Sequence, residues 1–395
     1  MIELARGIDS LLAVAIVAAL APFVAALVPG KRIPQVVVLI TGGVLIGPQV
    51  LGLAETATID LFSNVGLGFV FLLAGYELDP TMFRERSGRL ALASWFVTLT
   101  LALVAAGLLA ATGLVRAFVP VALGLTTTAL GILVPFLRDN DMLRDGLGRY
   151  LIAAGAIGEL LPIAAIAVFL GTSSRFVALL SLAAVAGVAV LFVVLPRLLR
   201  SRRLAAVMAA NEHSASQTTL RWSVVLLLAL LAFAARFGLD IVLGAFLAGL
   251  VLRQWSPGDV PRLEAKLDAV GYGVFIPVFF VSAGMGLDIR SIVEEPLRVF
   301  AFLALLLLVR GVSVMVVYRR ALTASQRAQM TLITATTLPL LVALTHVGLD
   351  NGTMTSENAA ALVGAGVASV LLFPTGAVLL RARARARSAT PSTRL

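Results

Sequence analysis

Runs of about 20 apolar residues recur along nearly the whole chain, and no other feature limits its fold so strongly. A run of that length, wound as a helix, crosses about 30 Å of hydrocarbon. Inside a bilayer every backbone N–H and C=O must be bonded within the protein, so such runs are helices rather than irregular chain. Thirteen of them lie near residues 9–28, 33–53, 58–78, 90–112, 114–137, 148–171, 174–196, 220–237, 239–252, 268–287, 298–318, 328–348 and 357–380. The loops between them are short, and 239–252 is the weakest span, being brief and rich in glycine. Only 13% of the residues are charged, against about 25% in a soluble domain, so a large soluble core is excluded. The first run has no cleavage-site character and is expected to stay as a span. The expectation is an all-α polytopic membrane protein of about 13 transmembrane helices.

The basic residues orient these spans. Of the 31 Lys and Arg, 24 fall on one side of the membrane, including Lys31, Arg84, Arg138, Arg203, Arg262, Arg319 and Arg381. Six fall on the other: Arg6, Arg116, Arg175, Arg236, Arg290 and Arg298. Basic residues collect in cytoplasmic loops, so the C-terminus is expected in the cytoplasm and the N-terminus outside, in a cell (inner) membrane. Topology thus accounts for the net charge of +10, and nucleic acid is not called for as a partner. Residues 1–380 are expected to form one transmembrane domain and 381–395 a basic cytoplasmic tail at the lipid headgroups. With no cysteine and only two histidines, neither a transition-metal site nor a cofactor is expected.

The chain repeats itself. FVFLLAGYELD at 69–79 matches VFFVSAGMGLD at 278–288, with Phe71/Phe280, Ala74/Ala283, Gly75/Gly284, Leu78/Leu287 and Asp79/Asp288 identical. GGVLIG at 42–47 is echoed by GAFLAG at 244–249, and Thr127-Thr128 falls on Thr336-Thr337. Repeat one would run from about 9 to 171, repeat two from about 220 to 380, with a linker helix at 174–196. Paired spans are seven apart, an odd number, so the two copies have opposite orientation. Inverted repeats of this kind build secondary transporters.

A charge at the bilayer centre is expensive and is presumed functional. Nearly every acid lies at a span end or in a loop; Glu159, about twelve residues into the span 148–171, is the deep one. Arg310, in the span 298–318, is the comparably deep base. Proline cannot donate its backbone hydrogen bond. Pro162 would therefore release the carbonyl of Gly158 beside the carboxylate, and Pro135 and Pro339 would release those of Gly131 and Ala335. Pro135 and Pro339 follow the threonine clusters TTTALGILVP (126–135) and TATTLP (334–339). Interrupted helices at matched positions of two halves point to a transport site. Helix breaks are accordingly expected at Pro135, Pro162 and Pro339. Glu159, the Gly158 carbonyl and the hydroxyls of Thr127, Thr128, Thr336 and Thr337 are expected to bind an ion or proton, with Arg310 in electrostatic support. The alternatives at these positions are threonines that only bond back within their own helix, prolines that only kink, and a structural Glu159–Arg310 ion pair. Hard oxygen donors suit an alkali cation but do not choose between Na⁺ and K⁺.

In order and spacing, the segments 42–53, 69–79, 126–137, 243–252 and 278–288 resemble the cation/proton antiporter superfamily, in its Kef-type and NapA-like branch. The resemblance covers essentially the whole chain. It implies a homodimer in which spans 1–3 and 8–10 form a scaffold and spans 4–6 and 11–13 a moving core, with the fifth and twelfth spans unwound and crossing. It implies that Glu159 stands where the family carries its ion-binding acid and Arg310 where it carries a core Lys or Arg. One departure is clear: the branch usually has an acid or amide before the essential acid, and here that position is Gly158. Burial disfavours a charged carboxyl, so Glu159 is expected to hold either a proton or a cation, as in an Na⁺ or K⁺/proton antiporter. An organic-anion symporter of similar repeat architecture or a membrane sensor are the rival readings; an enzyme would need a polar loop cluster that is missing here.

Overall fold

The computed structural model describes residues 2–27, 34–77, 84–113, 115, 118–143, 146–169, 187, 190, 217–236, 241–255, 260–350 and 352–389. Among them the regular elements are all helices: α1 Ile2–Leu27, α2 Gln35–Ile46, α3 Thr56–Glu77, α4 Arg86–Ala111, α5 Phe118–Leu125, α6 Leu130–Asp139, α7 Gly146–Phe169, α8 Thr218–Arg236, α9 Ile241–Trp255 and α10 Val260–Val270. A π-helical turn, Gly271–Phe275, leads into α11 Ile276–Met285, and then α12 Ile289–Glu294, α13 Pro296–Val317, α14 Ala324–Ala335, α15 Pro339–Asp350 and α16 Ser356–Ala389 follow. Nine helical stretches among the described residues are long and apolar enough to cross a membrane, and α2 and most of α9 are shorter apolar helices. Twelve of the thirteen expected spans coincide with these helices or with helix pairs. The thirteenth, the linker 174–196, and most of the connector with His213 lie outside the described residues.

Burial fits a bilayer. Ile8, Leu12, Ile16, Leu20 and Phe23 line an exposed stripe of α1, and Phe300, Leu308 and Val312 are exposed on α13. Water would not tolerate so much continuous apolar surface on a lone chain, whereas lipid does. The chain is therefore a multi-pass membrane protein.

The helices group into two compact units. One comprises Met1–Leu20, Leu39–Asp79 and Ile163–Gly286, and the other Ala21–Val38, Pro80–Pro162 and Leu287–Leu395. Glycine organises the first. A side chain on Gly75 would strike the carbonyl of Phe246, and one on Gly249 that of Leu72, so α3 and α9 touch backbone to backbone. The same reciprocal contact joins α2 to α11: Gly43 lies on the carbonyl of Val281, and Gly284 on that of Ile40. Only residues without a Cβ allow helices in a membrane to approach so closely. These four glycines lie within the segments 42–47, 69–79, 244–249 and 278–288.

The second unit is built around Trp95, Leu133, Leu137, Leu151, Ile157, Val314, Tyr318, Met330 and Ile333, contributed by α4, α6, α7, α13 and α14 and by Tyr318 at the end of α13. It also holds two interrupted helices. The chain unwinds at 126–129, between α5 and α6, and again at 336–338, between α14 and α15. Pro339 opens α15, a position where the missing N–H costs nothing because a first-turn N–H has no partner inside the helix. Pro135 and Pro162 behave otherwise than expected. Pro135 lies inside α6 and Pro162 inside α7, and both helices run on past them. The first interruption precedes Pro135 because the threonines there find other hydrogen-bond partners.

Candidate functional site

The site lies wholly in the second unit, where α7 meets the first interrupted helix. Gly155 and Gly158 stand one turn apart on α7. A Cβ on Gly158 would come within 2.5 Å of Thr128 Oγ1 and 2.8 Å of Thr128 Cβ, and one on Gly155 within 2.5 Å of Leu130 Cδ1. The two glycines thus leave a trough in which residues 128–130 lie against α7.

Backbone donors exposed by unwinding must be bonded again, and each one here is. Thr126 and Thr127 N–H donate to Leu123 O (2.9 Å) and Gly124 O (3.2 Å). Thr128 N–H donates to Gly158 O at 3.0 Å, and Ala129 N–H donates to Thr336 O of the second interruption, also at 3.0 Å. Leu130 N–H donates to Glu159 Oε1 at 2.8 Å. The carboxyl of Glu159, only 5% exposed, therefore sits on the first N–H of α6, at the positive end of that helix.

Arg310, 4% exposed on α13, serves the other side of the break. Its Nη2 donates to Thr126 O, just past the C-terminus of α5, and to Thr128 Oγ1 at 2.8 Å. A cation thus faces the negative end of one half-helix and a carboxyl the positive end of the next. Among the described residues no carboxylate comes within ion-pair distance of Arg310, so its link to Glu159 runs through the Thr128–Leu130 segment rather than through an ion pair.

The threonines tie the crossing together. Thr128 Oγ1 accepts from Arg310 and donates to Thr334 O at 2.9 Å. The hydroxyls of Thr127 and Thr337 meet at 2.6 Å. Thr127 also bonds back to Gly124 O at 2.7 Å, and Thr336 to Leu332 O at 3.0 Å. The Gly158 carbonyl that Pro162 releases is engaged by Thr128 N–H. Ser369 on α16 brackets the second interruption: its hydroxyl accepts from Thr337 N–H at 3.2 Å and lies 3.0 Å from Thr337 O as a donor.

The expected residues Gly158, Glu159, Thr127, Thr128, Thr336, Thr337 and Arg310 therefore come together around one crossing, and Pro339 borders it. Pro135 and Pro162 do not mark the breaks. Sequence reading missed Ser369, Thr334 and the Leu130 N–H. Ser369 carried a signal, as a hydroxyl inside the apolar stretch AAALVGAGVASVLLF. A backbone N–H carries none.

A buried carboxyl and a buried guanidinium thus meet around two interrupted helices inside a polytopic apolar chain. Residues 14–380 match the family described as sodium/hydrogen exchanger, transmembrane, and the chain belongs to that family. It is 30% identical over 301 residues to YjbQ of Bacillus subtilis, across 71% of this chain and 48% of that protein. It is 26% identical over 273 residues to the Na(+)/H(+)-K(+) antiporter GerN of Bacillus cereus, across 66% of this chain and 67% of GerN. With the glutathione-regulated potassium-efflux system protein KefC of Escherichia coli it shares 27% over 285 residues, across 68% of this chain and 44% of KefC. The chain thus spans about half the length of YjbQ and rather less of KefC. The fold matches the solved sodium proton antiporter MjNhaP1 of Methanocaldococcus jannaschii with a TM-score of 0.63 at 15% identity, over 96% of this chain and 99% of that one.

Proposed function

We propose that this chain exchanges a monovalent cation, Na⁺ or K⁺, for protons across the cell membrane, with both ligands competing for the carboxyl of Glu159. The observation that carries this reading is the placement of a deeply buried carboxyl on the opening N–H of an interrupted helix. Burial penalises the charged form of a carboxyl. A proton or a bound cation relieves that penalty, and a site that holds one or the other exchanges them. The names of GerN and KefC, an Na⁺/H⁺-K⁺ antiporter and a potassium-efflux protein, support the same pair of cations. The hydroxyls of Thr127, Thr128 and Thr337 and the carbonyl of Thr336 would complete the cation's shell, while Arg310 would set the local field without touching the cation. One titrating carboxyl per protomer moves one charge each way, so exchange is electroneutral. In the same reading the protein is a homodimer in the inner membrane, with its N-terminus outside, its C-terminus in the cytoplasm, and two inverted repeats over 9–171 and 220–380.

The test is cation-induced dissipation of a pH gradient in proteoliposomes, run separately with Na⁺ and K⁺. Glu159→Gln keeps the shape of the protonated acid and should abolish exchange with either cation while the protein still purifies folded. Wild-type rates in that variant would remove Glu159 from the mechanism.

A further inference from the structure

Arg310 poses a problem that the transport site does not solve. A guanidinium has five N–H donors and cannot shed its proton, and a buried ion needs partners to offset its lost hydration. One of its nitrogens, Nη2, bonds to Thr126 and Thr128, but Nε is buried without a partner, and no described carboxylate neutralises it.

Other unanswered polar groups surround the same helix in the same unit. Trp95 Nε1 on α4, Tyr318 Oη at the end of α13 and Thr331 Oγ1 on α14 are all buried without a hydrogen bond. Thr331 packs on Gly311, the residue next to Arg310. Ser313, one turn beyond Arg310, is fully buried and pairs with Ser94 of α4 at 2.7 Å while also donating to Ser94 O at 2.6 Å. Tyr318 Oη lies close enough to Ser94 to interact with it, although no conventional hydrogen bond is completed. From Arg310 to Tyr318 is eight residues, about 12 Å of helix, and at positions 310, 313 and 318 the buried residue is polar.

Buried polar groups are almost always bonded to protein or to ordered water, and internal water sits where several such groups converge. We propose that α4, α13 and α14 enclose a file of internal water that solvates the Nε of Arg310 and runs along α13 toward Tyr318. The inference rests on the reading of Glu159 as the exchanging group and explains how that reading is possible. Water, rather than a carboxylate, then balances the buried guanidinium, so Arg310 does not have to draw on Glu159 for its counter-charge.

X-ray radiolytic footprinting tests this on the intact protein in nanodiscs, because radicals born from trapped water oxidise the side chains beside it. Met330 and Tyr318, both fully buried, should be oxidised several-fold faster than the equally buried Met142 and Met285. Thr331→Val and Ser313→Ala should lower that labelling. Equal labelling of Met330, Met142 and Met285 in the wild-type protein overturns the water file, whether or not the variants fold. The result is independent of transport: loss of exchange in Glu159→Gln with no labelling of Met330 leaves the function standing and removes only the water, and labelling with active Glu159→Gln does the reverse.

Discussion

Gly158 is the position where a single methyl group should do most harm. Its Cβ would meet Thr128 Oγ1 at 2.5 Å, Thr128 Cβ at 2.8 Å and Arg310 Nη2 at 3.3 Å. The first two contacts are closer than real Cβ atoms come, so Thr128 has to withdraw. It cannot do so cheaply, because its hydroxyl is held by Arg310 and Thr334 O and its N–H by Gly158 O. Overpacking a tight site costs about 1–3 kcal/mol, and loosening a hydrogen bond to a charged donor costs about 1.5–3 kcal/mol. The two overlap, so Gly158→Ala should destabilise by about 2–3 kcal/mol. Two comparisons isolate the cause. Gly155→Ala meets chiefly the end of the flexible Leu130 side chain, which can turn aside, and should cost less. Gly107→Ala in α4 meets nothing within 4 Å and should be neutral or stabilising by up to about 1 kcal/mol, since alanine is the better helix former. Thermal unfolding in detergent, read together with exchange in proteoliposomes, should therefore rank the three variants 158, 155, 107 in order of damage. A Gly158→Ala protein that melts and exchanges like the wild type would show that Thr128 is not held as described. For the same reason Gly158→Asp should not install a working second acid, because Thr128 and Arg310 fill the space it needs.

Thr128→Val removes the hydroxyl that both Arg310 and Thr334 use, and should weaken apparent cation affinity in the exchange assay. Thr336→Val removes a bond only to Leu332 within the same helix and should stay close to wild type, so equal effects would mean that the crossing does not depend on Thr128. Arg310→Lys should retain part of the exchange with a displaced pH optimum, whereas Arg310→Ala should lose most of it; identical pH profiles for wild type and Arg310→Ala would refute the supporting role. Asp288 caps α12, and donation from the Ser291 hydroxyl and N–H holds its pKa below the usual carboxylate value. With the folded pKa depressed, its contribution is present above the unfolded value of about 3.9 and is lost as pH falls through the folded one. Asp288→Ala should therefore cost about 0.5–1 kcal/mol at pH 7, and its melting temperature should converge on that of the wild type as pH falls below the folded pKa of Asp288.

The spans were legible because lipid leaves the chain one option: an apolar run of sufficient length is a helix, and charge marks its ends. Glu159 and Arg310 were legible for a related reason, as charges that stand out against apolar neighbours. The breaks were harder. Proline suggests where a helix loses a hydrogen bond but not whether it unwinds. Pro162 loses its bond to Gly158 O inside a helix that stays intact, since Thr128 N–H supplies the missing donor from another segment. The interruption at 126–129 depends on donors and acceptors from α7, α13 and the second interruption, all remote in sequence. Tertiary hydrogen bonds of this kind leave no local pattern, and neither does the Leu130 N–H that holds the carboxyl.

Those same bonds limit how the site can move. Residues 126–130 are fixed to α7 through Gly158 and Glu159, to α13 through Arg310, and to α14 and its break through Thr334, Thr336 and Thr337. Sliding the interrupted helix alone past α7 would strip several buried hydrogen bonds at once, and each buried donor or acceptor left unsatisfied costs about 1–3 kcal/mol. A displacement that carries α5, α6, α7, α13 and α14 together strips none of them. If Glu159 is to face the two sides of the membrane in turn, the inexpensive course is for this whole hydrogen-bonded group to travel as one body, with its carboxyl kept at the head of α6 throughout. The proton and the cation would then meet the same carboxyl geometry on both sides, as competition for one site requires.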